Sequence, residues 1–277
     1  MQNSETSFLM KIATWNVNSI KARLPTVVEV LKTIDCDVIC LQEIKCETDG
    51  FPYMEIEELG YQAEVFGQKS YNGVAILSKT PIEDVVRGFP GNEDDEQSRY
   101  IEVLTGGETP VRVASIYLPN GNPFPGEKFE YKLNWMQHLK ARAETLLTHE
   151  EAVILAGDYN VIPSDEDCWD PKVWADDALA QPESRAAFQQ LQWIGYAEAF
   201  ATVENRSHSY TFWDYQRGAW QKDHGIRIDH LLLSPEASDL LEKVEIYKAA
   251  RGLEKPSDHV PVIGHFSLET DRSNRPD

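Results

Sequence analysis

The stretch AVILAGDYN, residues 152–160, decides the fold. Its first six residues form an apolar run of buried-strand length, and three polar or aromatic residues follow at once. A second apolar run, DVICLQEI at residues 37–44, also ends in polar side chains. Strands this apolar are covered on both faces. The two runs therefore predict β-sheets whose outer faces are covered by helices.

Alternation of strands and helices extends outward from these two runs. A helical period is clearest after Ser19, where Pro25 fits a first turn and apolar residues recur at helical spacing. The order predicts an α/β protein with a single domain over residues 10–269, a disordered leader at 1–9 and a frayed tail at 270–277. Strands are predicted at 10–17, 37–44, 61–66, 73–78, 100–104, 111–117, 152–157, 227–233 and 260–267, an extended segment at 209–212, and helices at 21–34, 129–147 and 184–193.

Composition restricts the class of protein. The 277 residues are 42% hydrophobic, enough for a sizeable core, so a disordered protein is excluded. No apolar run approaches the roughly 20 residues that span a bilayer, and residues 1–9 lack the features of a signal peptide. Four cysteines without a CxxC pair are typical of reduced thiols. We therefore expect a soluble cytoplasmic protein with no membrane partner.

The net charge of −20 argues against a nucleic-acid ligand at first sight. The acids are concentrated, however: residues 150–200 contain eleven acids and two bases, whereas residues 6–28 contain three bases and no acid. A basic or neutral face opposite an acidic one is compatible with this distribution. So is an acidic surface that only keeps the protein soluble.

Polar side chains follow almost every predicted strand. Strand ends converge on one rim of such a sheet stack, where loops build sites. Several carboxylates placed together need a cation, because like charges raise one another's pKa. Oxygen ligands favour Mg²⁺ or Mn²⁺ over Zn²⁺. Each residue alone is more simply a turn or surface residue, but their recurrence predicts a metal site built from Asn16, Glu43, Asp158, Asn160 and Asp258.

Eight segments, in this order, resemble the exonuclease III family of DNA-repair nucleases, within the endonuclease/exonuclease/phosphatase superfamily. The resemblance extends over residues 10–268. It implies a four-layer α/β sandwich of the DNase I-like type, in which two mixed sheets pack together between helices. The segments are WNVNSIKAR (15–23), CLQEIK (40–45), YNGVAILSK (71–79), SIYLPNG (115–121), LAGDYN (155–160), YTFWDY (210–215), GIRIDHLLLS (225–234) and SDHVPV (257–262).

The resemblance also implies roles for individual residues. Glu43 matches the family's Mg²⁺ carboxylate, and His259 is paired with Asp229, either as general base or as donor to a phosphate oxygen. Asp158 either aligns or deprotonates the attacking water or protonates the leaving group. The residues implied in catalysis are Tyr117, Asp158, Asn160, Asp229 and His259, and those at the metal are Asn16, Glu43, Asp158, Asn160 and Asp258.

The family resemblance further implies a monomer that binds duplex DNA with abasic sites or 3′ ends. Phe212, Trp213 and Ile226 match the walls of a pocket for a flipped-out abasic sugar, although the first two are alternatively core aromatics. Bases in flanking loops could reach backbone phosphates, or could be ordinary surface bases. The candidate contacts outside the pocket are Lys21, Arg23, Lys69, Tyr71, Asn120, Lys128, Arg217 and Lys222.

The implied activity is Mg²⁺-dependent hydrolysis of DNA phosphodiesters in base-excision repair. It comprises incision 5′ to abasic sites and removal of nucleotides or blocking groups from 3′ ends, each leaving a 3′-hydroxyl. Two alternatives stay open. One is a superfamily phosphoesterase acting on phosphoinositides, sphingomyelin or RNA, and the other is a non-catalytic DNA-binding scaffold, although no core residue is missing from the chain.

Overall fold

The computed structural model describes residues 9–107, 109–204 and 206–268. Their strands form two six-stranded sheets. The strands are β1 (Leu9–Asn16), β2 (Val38–Gln42), β3 (Gln62–Phe66), β4 (Val74–Ser78), β5 (Ile82–Arg87), β6 (Tyr100–Thr105), β7 (Val111–Tyr117), β8 (Val153–Asp158), β9 (Ala197–Glu198), β10 (Asp229–Leu233), β11 (Leu241–Ile246) and β12 (Val262–Ser267). The α-helices are α1 (Leu24–Ile34), α2 (Tyr53–Glu57), α3 (Glu127–Leu147), α4 (Pro171–Trp174), α5 (Pro182–Trp193), α6 (Ala199–Val203) and α7 (Pro235–Ser238).

Both sheets are mixed and are built alike. The first has the order β11-β12-β1-β2-β4-β3, and the second has the order β5-β6-β7-β8-β10-β9. At the centre of each lies one parallel pair, β1 with β2 and β7 with β8, between antiparallel neighbours. The carboxyl ends of the central strands therefore lie side by side within each sheet.

Apolar side chains fill three layers of core. Residues such as Ile12 and Val38 of the first sheet meet Val113 and Ile154 of the second in one cluster, so the sheets pack face to face. Helix α1 covers the outer face of the first sheet, and helices α3 and α5 cover that of the second. The predicted four-layer sandwich of the DNase I-like type is confirmed.

The sequence predicted the buried strands well and missed three edge strands, the two-residue β9 and the longer β5 and β11. β5 and β11 each pair on one side only and consist mainly of exposed and half-buried residues, so neither shows an apolar run. Each also has a register shift against its neighbour, which weakens any alternating pattern. Predicted boundaries were otherwise close, although α1 begins at Leu24 rather than at residue 21, because the preceding residues form a turn.

The ends of the chain are only partly described. Leu9, expected in the leader, is already the first residue of β1. The rest of the predicted leader, and the tail at 270–277, lie outside the described residues, and the single domain over 10–269 stays a prediction. The four cysteines are buried and form no disulfide. Within the described ranges, no helix has both the length and the apolar character needed to cross a membrane.

Candidate active site

Strand register brings the key carboxylates together at one rim. Tyr117, the last residue of β7, lies opposite Asp158, the last residue of β8. On the other side of β8, Asp158 lies opposite Asp229, the first residue of β10. In the first sheet Asn16 ends β1, and Glu43 directly follows β2. These five residues all stand at strand ends, as the recurrence in the sequence predicts.

Asn16 joins the two sheets. Its buried side-chain nitrogen Nδ2 donates to Glu43 Oε1 at 2.9 Å and to Asp158 Oδ2 at 3.0 Å. Glu43 belongs to the first sheet and Asp158 to the second, so a single amide bridges carboxylates from both. The site is therefore assembled across the sheet interface.

The ring of His259 lies between two carboxylates. Its Nδ1 is 2.9 Å from Asp229 Oδ2, and its Nε2 is 3.7 Å from Asp158 Oδ2. Thr211 Oγ1 donates to the same Asp229 oxygen at 2.6 Å, which fixes that carboxylate. Burial lowers the pKa of His259, but the charges of Asp229 and Asp158 outweigh burial and raise it to about 10. The imidazole is therefore protonated at neutral pH.

The Asp158 carboxyl has a pKa far above its usual value. Burial raises the pKa of this carboxyl to about 7, against the opposing charge of His259 and with the added repulsion of Asp229. Hydrogen bonds from Asn16 and from the backbone N–H of Asn160 favour the ionised form. Asp158 is thus poised to take or release a proton near pH 7.

Glu43 is held ionised by its neighbours. Although burial raises the pKa of Glu43, Lys45, whose Nζ lies 2.8 Å from Oε2, and the amide of Asn16 keep it below its usual value. Tyr117 lies close enough to hydrogen-bond Glu43, and burial together with Glu43 and Asp158 raises the pKa of its phenol far above 10. The Arg99 guanidinium lies over the Tyr117 ring, 4.7 Å from its centre. Tyr117 is therefore a neutral phenol that can donate.

Asp258 is connected to Glu43 through two other side chains. Its Oδ1 accepts from Asn18 Nδ2 at 3.0 Å, and Asn18 Oδ1 in turn accepts from Lys45 Nζ at 2.6 Å. The path from Asp258 to Glu43 thus runs through two intervening side chains. The predicted metal-binding role of Asp258 stays a prediction, whereas its position in the loop beside β1 is fixed by Ser257, which donates to the Asn16 carbonyl.

The donor chemistry fits a divalent cation at Glu43. Ligand atoms of Asp158, Asp229 and His259 lie within 4.8 Å of one another. Within this group, Nδ1 of His259 is bonded to Asp229, and its Nε2 faces Asp158. Ionised Glu43 and the Asn16 beside it supply the oxygen atoms that hard cations bind. Glu43 could therefore hold a divalent cation, as could the group formed by Asp158, Asp229 and His259.

The side chain of Asn160 is hydrogen-bonded through both its nitrogen and its oxygen. Its Nδ2 donates to the Leu118 carbonyl at 2.8 Å, and its Oδ1 accepts from Asn120 Nδ2 at 3.3 Å. Its backbone is left-handed, with φ of 46°. Glu43 and Asn18 share this rare conformation, and such backbone strain is typical of functional sites.

The three predicted pocket residues differ in exposure. Phe212 is half-buried, and its ring packs edge-on against His259 with centres 4.9 Å apart. Ile226 pairs with the Phe212 backbone and lies buried beneath it, beside Ile228. Trp213 is fully buried in the core and donates to Asp223 at 3.0 Å. A side chain without exposed surface cannot line an open pocket, and Trp213 and Ile226 expose only 0% and 1% of their surface. The predicted pocket role is therefore corrected for both, and Trp213 is the core aromatic of the alternative interpretation.

The candidate phosphate contacts are mostly free at the surface. Two of the bases among them are bonded to the protein. Arg23 donates to the Pro256 carbonyl at 3.0 Å and to Tyr215 Oη at 2.8 Å, which indicates a structural role. Lys222 donates to the Arg217 carbonyl at 2.9 Å. Asn120 is exposed beside Asn160. The other exposed candidates are Lys21, Lys69, Tyr71, Lys128 and Arg217.

Sequence reasoning missed three residues that hold the site. Lys45 lies in the motif CLQEIK and Thr211 in the motif YTFWDY. Their place in these two motifs is the signal by which the sequence could have indicated them. Lys132 is buried in α3 and bonds to the Asn160 carbonyl. In the sequence it is one of several lysines in an amphipathic helix, and no pattern distinguishes it.

The fold and the site together define a two-sheet hydrolase with an acidic, metal-binding rim. Residues 13–259 match the model of the endonuclease/exonuclease/phosphatase family, and the chain belongs to this family. Exodeoxyribonuclease III of Haemophilus influenzae is 32% identical over 268 residues, which cover 93% of this chain and all of the relative. The predicted resemblance to exonuclease III is confirmed, as is the prediction of an enzyme.

Two solved structures extend the comparison. A 3′ phosphatase from Neisseria, bound to product DNA hairpin, has a TM-score of 0.90 and 37% identity, covering 94% of this chain and 100% of that one. An AP endonuclease from Archaeoglobus fulgidus has a TM-score of 0.89 and 32% identity, with the same coverage. The predicted relation to DNA-repair nucleases is confirmed by both.

Proposed function

We propose that this protein is a Mg²⁺-dependent nuclease of base-excision repair. It cuts duplex DNA 5′ to abasic sites and removes nucleotides or blocking groups from 3′ ends, leaving a 3′-hydroxyl. The observation that carries the proposal is the position of His259, bonded to Asp229 and facing Asp158, while Asn16 joins Asp158 to the Glu43 carboxylate. The activities of the relatives named above support the choice of DNA as substrate.

His259 acts as a hydrogen-bond donor to the scissile phosphate. With its pKa near 10 it keeps its proton at neutral pH, so it is a poor general base. Asp229 orients the ring through Nδ1 and leaves Nε2 facing the site. A donor fixed in this way stabilises the negative charge that builds on the phosphate oxygens in the transition state. This supports the second of the two roles that the sequence left open.

Asp158 acts as the base. Its pKa near 7 lets it accept the proton of the attacking water at neutral pH. Attack on phosphorus breaks the bond to the 3′ oxygen, which leaves as the 3′-hydroxyl after taking a proton from a solvent water molecule. Tyr117 donates to a phosphate oxygen from the neighbouring strand end, and the rigidly held Asn160 orients the phosphate.

Glu43 and Asn16 would hold the metal ion. Bound there, Mg²⁺ supplies a Lewis acid that polarises a phosphate oxygen and steadies the leaving 3′ oxygen. The choice of Mg²⁺, with Mn²⁺ as a substitute, rests on the oxygen donors of the site. The monomeric state and cytoplasmic location expected from the sequence stay predictions.

One assay tests the proposed function. The purified protein is incubated with Mg²⁺ and a duplex carrying one abasic analogue, and in parallel with the same duplex carrying a recessed 3′ end or a 3′-phosphate. We expect incision 5′ to the analogue and trimming of the 3′ end, both abolished by EDTA. Intact duplexes at all protein concentrations would contradict the proposal, and hydrolysis of phosphoinositides instead would favour the alternative phosphoesterase.

A further inference from the structure

Lys132 reaches the site from the outer helical layer. Helix α3 covers the second sheet, and Lys132 in its second turn has no exposed surface. Its aliphatic chain runs past Gly121, where an added Cβ would stand 2.7 Å from Lys132 Cδ. Gly121 has a φ of 90° and no side chain, so the loop after β7 leaves room for the lysine to pass.

The ammonium of Lys132 joins two loops. Its Nζ donates to the Asn160 carbonyl at 2.5 Å and to the Asn120 carbonyl at 3.2 Å. The side chains of the same two asparagines meet at 3.3 Å. One loop follows β7 and the other follows β8, so Lys132 ties the backbones of the two loops together.

This arrangement is a costly way to stabilise a fold. Burial lowers the pKa of the Lys132 amino group to about 7, against the charges of Asp158 and Asp177, and its two hydrogen bonds go to neutral carbonyl oxygens rather than to a carboxylate. Removing an ammonium from water costs several kcal/mol, and an apolar residue of similar volume would fill the same space without that cost. Stability alone therefore does not account for a lysine here.

We infer that Lys132 is a positioning residue that clamps the Asn120 and Asn160 loops in the geometry needed to orient the scissile phosphate. The inference rests on the proposed function, because it takes Asn160 as the residue that holds this phosphate. Lys132 itself touches the backbone and not the substrate.

The first test separates positioning from stability. Lys132→Met keeps the volume and removes the charge, and Lys140→Met is the control, since Lys140 lies on the same helix and pairs with Glu144 at the surface. We expect Lys132→Met to lower kcat on the abasic duplex by about 10- to 100-fold, with KM within about threefold. Its Tm should be equal to or above that of the wild type. A kcat within twofold of wild type, or a loss that accompanies a lower Tm, would overturn the inference.

The second test asks whether the charge itself acts. Lys132→Ala leaves space for n-propylammonium, which completes the missing side chain, and n-propanol is the neutral control of the same size. We expect n-propylammonium to restore at least about tenfold of the lost kcat and n-propanol to restore none. Equal recovery with both would indicate cavity filling and would refute the clamp.

The third test does not depend on activity. Hydrogen exchange is measured for backbone amides in residues 118–122 and 158–162 of the wild type, Lys132→Met and Lys140→Met. We expect faster exchange in both loops of Lys132→Met only, because the tie between them is lost. Unchanged exchange would contradict the clamp. If the wild type cleaves no DNA, the proposed function fails, and this comparison still decides whether Lys132 fixes the loops.

Discussion

Two opposing effects act on the His259 ring. Burial favours the neutral imidazole, whereas Asp229 and Asp158 favour the cation, and the two carboxylates prevail. Burial also favours the neutral form of Asp158, and this raises the pKa of the Asp158 carboxyl to about 7. At pH 7 His259 therefore keeps its proton, whereas Asp158 can accept or release one.

These two pKa values predict the pH dependence of cleavage. Asp158 must be ionised to accept a proton, so kcat/KM should rise as the pH passes through about 7. His259 must be protonated to donate, so kcat/KM should fall as the pH passes through about 10. The measurement is kcat/KM from pH 5 to 11 at constant ionic strength. The low residual activity of Asp158→Asn should lack the acidic limb, and an unchanged acidic limb in that variant would assign it to another group.

Removal of the Glu43 carboxylate should affect metal binding. We expect Glu43→Ala to lower turnover by about two to three orders of magnitude and to shift the Mg²⁺ titration to higher concentration. Mn²⁺ binding measured by calorimetry should weaken in parallel, independently of activity. Glu47→Ala is the matched control, because Glu47 is exposed four residues further along. Superimposable titrations of Glu43→Ala and wild type would place the metal elsewhere.

Phe212 should select the abasic sugar. It is partly exposed above Ile226 and against His259, so an apolar surface lies beside the position of the scissile phosphate. A sugar without a base can enter such a space after flipping, at little unstacking cost. We expect Phe212→Ala to lower abasic incision at least about tenfold more than trimming of a plain 3′ end, with Tm nearly kept. Equal loss of both activities with a lower Tm would make Phe212 a core residue.

Site residues at the ends of apolar strands were predictable from the sequence, whereas the residues that hold them in place were not. Glu43, Asp158 and Asp229 stand where an apolar run meets a carboxylate, which the sequence displays directly. Lys132 bonds to the backbone carbonyl of Asn160, 28 residues further along the chain. A backbone acceptor leaves no signature in the sequence. The burial of Trp213 was equally invisible, because an aromatic in a loop fits both a pocket and a core.

At the scale of elements, strands are predictable in proportion to their burial. Strand β8 is buried at every position, and the corresponding apolar run marks it. The edge strands β5 and β11 face solvent and contain charged residues, so their sequences do not differ from loops. The long-range pairing is less predictable still, because the sequence does not display which strand lies beside which.

Helix α3 is fastened to the second sheet by a buried charge cluster. Glu102 of β6 has no exposed surface and accepts from Arg112 of β7 at 2.9 Å and from Arg142 of α3 at 2.7 Å. Glu102→Ala removes the carboxylate that pairs with the Arg142 guanidinium, whereas Arg112 keeps its ion pairs with Asp84 and Glu151. We expect it to lower the free energy of unfolding by about 3–5 kcal/mol, as measured by urea denaturation.

The control for this change is Glu144→Ala, which removes a surface pair with Lys140 on the same helix. Its cost should stay below about 0.5 kcal/mol. Since the Glu102 cluster lies away from the rim, the folded fraction of Glu102→Ala should keep the wild-type kcat. Equal stabilities of the two variants would contradict a structural role for the cluster.

For the whole molecule, the net charge of −20 opposes binding to DNA. Binding then relies on the few exposed bases around the site, among them Lys69 and Lys128. If three to five of them reach phosphates, the logarithm of the binding constant should fall with the logarithm of salt concentration with a slope of about −3 to −5. Fluorescence anisotropy with an abasic duplex in EDTA measures this slope. Lys69→Ala should reduce its magnitude by about one, and a slope near zero would exclude phosphate contacts.

The bridge that Asn16 makes between Glu43 and Asp158 has a consequence for when the active centre is assembled. The carboxylates come from different sheets, and His259 is supplied only a few residues before β12, late in the chain. A nascent chain on the ribosome, or a fragment released by proteolysis with one sheet only, therefore lacks the assembled centre. The centre is complete only when both sheets and the segment that carries His259 are folded together.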